Sequence, residues 1–175
     1  MPLLARNITL LALDRFTRAS GGRVRGKTLL QKQLFFVGEI AGIDLGYRAH
    51  YYGPYSDTLA DAVIELKNLG FVREYGLGSG RDSENGSPEA RRYDYELTDE
   101  GKSAVSWLQS RYPGEATRVV QAAERILNRG NPDRSTLIYA AKTLWIIHEQ
   151  KRSMTSSEVA EQAQRFAWPV GEEQA

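Results

Sequence analysis

Apolar positions along this chain recur mostly at helical spacing and only briefly in alternation. Ile8, Leu11, Ala12 and Phe16 mark a first helix over Asn7–Ala19, with Asn7 as its N-cap. Ser20-Gly21-Gly22 ends it, and Gly22 to Lys27 reads as a short, flexible, basic loop. A second helix runs from Thr28 to about Ala41. Its apolar arc holds Leu29, Leu30, Leu34, Phe36, Val37, Ile40 and Ala41, with Gln33 among them. Its narrow polar arc holds Thr28, Gln31, Lys32, Phe35 and Glu39. After Gly42, Ile43 to Ala49 predicts a short strand, and Gly53-Pro54 a tight turn. Ser56 then caps a third helix, Asp57 to Leu69, which Gly70 ends.

Strand signals follow at Phe71 to Tyr75 and, after the Gly- and Ser-rich loop Gly76 to Ala90, at Arg91 to Leu97. The second places Arg92, Asp94 and Glu96 against Tyr93, Tyr95 and Leu97. Thr98 caps a further helix broken by Pro113-Gly114. Helices over Ala116–Leu127, Ser135–Glu149 and Ser156–Phe166 complete the chain, the last capped by Thr155 or Ser156. Helices, then a hairpin with a long tip, predict an α+β, mainly helical protein with a winged helix-turn-helix core. On that reading residues 1–110 form the winged-helix domain. Residues 111–170 form a helical extension packed on it that supplies a homodimer contact, and 171–175 a frayed tail.

Composition changes this picture little. Hydrophobic residues at 41% and charged residues at 26% are ordinary for a globular protein. The absence of Cys excludes disulfides, thiolate metal sites and thiol nucleophiles. The amino-terminal pattern is interrupted by Arg6, Asp14 and Arg15, so neither a signal peptide nor a membrane span is expected and a cytoplasmic protein is. No spacing around His50 or His148 suggests a metal, no cofactor is expected, and no nucleophile, base and orienter assemble in sequence. His50 is expected to serve as a structural hydrogen-bonding residue. An enzyme is not expected.

Charge matters more. The formal net charge is +1, yet Arg6, Arg15, Arg18, Arg23, Arg25, Lys27 and Lys32 precede Gly38 against Asp14 alone. Such a cluster can follow a phosphate backbone by counterion release. The residues expected to contact nucleic acid are Arg18, Arg23, Arg25, Lys27 and Lys32, with Arg81, Arg91 and Arg92 in the wing. Against this, the third helix turns Asp57, Thr58, Asp61, Ile64, Glu65 and Asn68 outward, three carboxylates and no base. Groove readers usually present Arg, Lys, Asn or Gln. The alternative is therefore a surface for a protein partner, carried by Phe35, Tyr52, Tyr55, Asp57, Asp61 and Glu65.

Lys27-Thr28 with Leu30-Gln31-Lys32, then Tyr52-Gly53-Pro54-Tyr55-Ser56, then Leu97-Thr98 with Gly101, resemble the YwgA-like family of prokaryotic winged-helix proteins. The resemblance spans about Ile8 to Leu108. More distantly, the Leu-Gln-Lys helix and Gly-Pro turn are similar to those of Panacea-domain antitoxins. The resemblance implies a regulator without an established reaction and supplies no catalytic residues. Two functions are therefore expected of the chain: a DNA-binding transcriptional regulator, or an antitoxin- or adaptor-like protein-interaction module.

Overall fold

The computed structural model describes residues 3–77, 92–129 and 132–173. The chain is α+β and mainly helical. Its elements are α1 (Ala5–Ala19), β1 (Val24–Arg25), α2 (Lys27–Ala41), α3 (Asp57–Asn68), β2 (Val72–Leu77), β3 (Arg92–Leu97), α4 (Asp99–Arg111), α5 (Pro113–Leu127), α6 (Arg134–Gln150) and α7 (Ser156–Arg165). Among the described residues no helix is long and apolar enough to cross a membrane.

Helix α1 starts two residues before the expected Asn7, with Leu4 at the N-cap and no side-chain cap. It is nearly enclosed, because α3, α4, α5 and the sheet all pack on it. Ile8, Leu11, Leu13 and Phe16 are buried there together with Leu34, Leu59, Leu66, Val105 and Val119. Helix α5 joins the same core through Ala116, Val119, Ala123 and Ile126. A second, smaller cluster joins Ile146 of α6 to Val159 and Ala163 of α7 and to Trp168 and Val170 beyond it.

The sheet is antiparallel in the order β1-β3-β2. Val24 faces Tyr95 and Arg25 faces Asp94 across one ladder; Val72 faces Leu97 and Tyr75 faces Asp94 across the other. Strand alternation therefore sends Val24, Val72, Tyr95 and Leu97 inward and groups Arg25, Arg73, Tyr75, Asp94 and Glu96 on the outer face. The expected flexible basic loop thus contains an edge strand, its backbone groups satisfied by β3. The strand expected over Ile43 to Ala49 is absent, and only an isolated bridge between Arg48 and Tyr55 remains.

Ser56 and Thr98 cap α3 and α4 as their positions suggest, accepting from Leu59 N and Gly101 N. Thr155 caps α7 in a reciprocal box with Glu158.

Candidate functional site

The connection from α2 to α3 is held by the polar arc of α2. Gln31 Nε2 donates to Ser56 O (2.9 Å) and its Oε1 accepts from Ser56 N (3.1 Å). Lys32 Nζ donates to Pro54 O. Tyr47 OH donates to Gln31 O (2.6 Å), and Ser56 Oγ donates to Leu45 O (2.6 Å). Backbone amides buried in an irregular segment need partners, and one glutamine side chain satisfies both polar groups of Ser56. The Leu-Gln-Lys and Tyr-Gly-Pro-Tyr-Ser segments are therefore two halves of one clasp. Helix α6 and the turn over Gly53-Pro54 cover the arc that periodicity assigns to solvent.

Two expectations fall with that cover. Lys32 is 1% exposed and Phe35 2% exposed. Neither can contact a nucleic-acid backbone or a protein partner from the surface. Phe35 instead packs edge-on against Phe36 and Tyr47, with ring centroids 5.3 and 5.0 Å apart. Ile40, expected in the apolar arc, is an exposed large hydrophobic. Gln33 is buried, as its position in that arc suggests, and its Oε1 has no hydrogen-bond partner among the described residues.

Beside Lys32 lies Lys142 of α6, also buried. The stems of both lysines meet Gly53: a Cβ built there would sit 3.0 Å from Lys142 Cγ and 3.5 Å from Lys32 Cε. Its φ of 97° adds backbone strain to any side chain at that position. Trp168 Nε1 donates to His50 O (2.7 Å), pinning the segment after α7 onto the same turn. It is thus the main-chain oxygen of His50 that makes this bond. Neither Lys142 nor Trp168 carried a signal in the sequence, since Lys142 reaches the turn from a distant helix and Trp168 from the segment after α7.

Burial, and then the neighbouring Lys142 ammonium, lower Lys32 from 10.5 to about 8. Burial lowers Lys142 as well. The folded protein therefore releases these protons at lower pH than the unfolded chain, so stability rises with pH above about 8. Tyr47 and Tyr95 are shifted upward by burial, so the unfolded chain ionises them first and they oppose this rise from about pH 10 onward. Denaturant unfolding of the wild type should thus show about 1 kcal/mol more stability at pH 9 than at pH 8. Lys32→Met should flatten that rise; an equally steep rise in the variant would remove Lys32 as its source.

The remaining basic residues do not form one free surface. Arg18 Nε pairs with buried Asp14 (2.9 Å). Arg23 Nε pairs with Glu96 (3.1 Å), and its guanidinium lies 3.8 Å above the Tyr75 ring. Arg23 and Arg25 line a cleft of about 600 Å³ together with Asp94 and Glu96. Lys27 is exposed, its ammonium 5.4 Å from the Tyr55 ring. Arg81 and Arg91 lie outside the described residues, and Arg92 opens β3.

On α3, Asp57, Asp61 and Glu65 are exposed. Asp57 pairs with Arg48, and Glu65 accepts from Arg6 (3.1 Å). Tyr51 and Tyr52 are exposed and packed edge to face, 4.9 Å between centroids, whereas Tyr55 is half-buried. The outward faces of α3 and of the tyrosine turn thus carry acids, apolar Ile64 and two aromatic rings. No family model and no curated protein matches this chain.

Proposed function

We propose that this protein is a winged-helix scaffold that binds another protein, in the manner of an antitoxin or adaptor, through the acidic face of α3 and the tyrosine turn. The element order α1-β1-α2-α3-β2-β3 with sheet order β1-β3-β2 supports the winged-helix reading. The YwgA-like and Panacea-like motifs agree with it and fall on the clasp. The observation that carries the functional half is charge. Helix α3, the element a winged helix would offer to a DNA groove, exposes Asp57, Asp61 and Glu65. Asp61, which forms no ion pair among the described residues, would face phosphate repulsion there, and the bases beside Asp57 and Glu65 are held by those acids. The neighbouring arginines Arg18 and Arg23 already face carboxylates of their own. The partner this surface fits has basic residues around an apolar patch that receives Ile64, Tyr51 and Tyr52.

The second reading, a dimeric regulator on DNA, is favoured by exposed Arg25 and Lys27, which form no ion pair among the described residues. One pair of measurements separates the two. On the partner reading, the protein binds random duplex DNA only weakly near physiological salt. A complex isolated from the source cells dissociates when Asp57, Asp61 and Glu65 are replaced by their amides. The opposite result is tight DNA binding whose logarithmic salt slope drops by about 2 when Arg25 and Lys27 become alanine. That result would replace the partner reading with the regulator.

A further inference from the structure

We propose that Lys32 and Lys142 form a binding site for a small oxyanion, a carboxylate or phosphate group, beneath the Gly53-Pro54 turn. Lysine is almost never fully buried without a counter-charge, and here two are buried side by side. Lys142 is 4% exposed. Among the described residues it has neither a hydrogen bond nor an ion pair; the rings of Tyr139 and Trp168 lie 5.9 and 5.8 Å from Nζ. Those distances lie at the outer limit of a cation–π attraction. Lys32 has three ammonium protons to donate, and the structure accounts for one, taken by Pro54 O.

The arrangement is built, not incidental. Lys32 comes from the middle of α2 and Lys142 from the middle of α6, elements that pack on each other. Both stems rest on Gly53, and Trp168 closes one side by its bond to His50 O. A single negative group between the ammoniums would cancel their mutual repulsion and accept the free protons of both. Lys offers a compact point charge that suits either a carboxylate or a phosphate oxygen. The proposal stands apart from the protein-partner reading, since a DNA-binding protein could carry the same site.

The test is thermal unfolding and titration calorimetry of the wild type, Lys142→Met and Lys142→Arg in low-millimolar sodium phosphate, sodium succinate or sodium chloride at matched ionic strength. The wild type should melt higher in phosphate or succinate than in chloride and give a saturable heat. Response to phosphate alone assigns a phosphate group, and response to succinate alone a carboxylate. Lys142→Met, which loses no hydrogen bond, should melt no lower than wild type in chloride and bind the anion about tenfold more weakly or worse. Lys142→Arg should keep the response. Equal responses in wild type and Lys142→Met would mean general salting effects and overturn the site, as would no gain over chloride. Should Lys142→Met fail to fold, absence of saturable heat in the wild type decides against it and its presence, retained in Lys142→Arg, decides for it.

Discussion

Gly101→Ala is expected to destabilise the protein by about 3 kcal/mol or more, a large share of the stability of an ordinary domain. Gly101 lies in the first turn of α4, where alanine would ordinarily gain up to about 1 kcal/mol of helix propensity. Here the added methyl would sit 2.2 Å from the carbonyl oxygen of Phe71 and 3.1 Å from its carbon. Both are backbone atoms, and they cannot swing away. Thr98 N donates to Phe71 O (3.1 Å) and Thr98 Oγ1 to Gly70 O (2.7 Å), so the start of α4 is fastened to the turn between α3 and β2. The clash outweighs the propensity gain several-fold. Gly114, whose added methyl meets nothing within 4 Å, is the control: Gly114→Ala should be neutral or slightly stabilising. Thermal melts followed by circular dichroism check both, and a Gly101→Ala protein melting within a few degrees of wild type would refute the close approach.

The second large effect is expected at Gln31→Leu. The substitution keeps the bulk but leaves Ser56 N without a partner in a buried setting, while Ser56 O keeps only the bond from Ala60 N. An unsatisfied buried group costs about 1–3 kcal/mol, and the loss of the Ser56 N bond places the effect in that range. Ser56→Ala, which removes the α3 cap and the bond to Leu45 O, should cost about 1–2 kcal/mol. The two side chains share the clasp, so the double variant should lose less than the sum of the single losses. Urea unfolding of the four proteins checks this. A loss below 1 kcal/mol for Gln31→Leu would mean that the clasp does not hold the connection.

Local signals in the sequence were legible wherever a residue acts on its near neighbours. Ser56, Thr98 and Thr155 cap because a hydroxyl three residues ahead of an amide needs no distant help. The alternation of β3 likewise reports its inward tyrosines. What escaped was decided by elements far along the chain. Lys32 and Phe35 sit on the face that a helical wheel gives to water; the turn over Gly53-Pro54 covers Lys32, and Tyr47 of the α2–α3 connection packs on Phe35. Arg23 looked like free charge because Glu96, about seventy positions later, reaches it only through sheet pairing. The bridge between Arg48 and Tyr55 replaced an expected strand because Ser56 and Gln31 hold that backbone from the side. The residues proposed for the partner surface divide the same way: the α3 acids face out as the periodicity requires, whereas Phe35 does not.

The separate cluster of α6 and α7 has a consequence for anyone following unfolding by light. Trp168 is buried in that cluster and Trp145 packs against it, whereas Trp107 is largely open to water. Intrinsic tryptophan emission is therefore weighted toward the carboxyl-terminal helices, with the larger body around Phe16 reporting only through Trp107. Ellipticity, summed over every helix, watches the whole molecule, and the two signals coincide only when both parts melt as one.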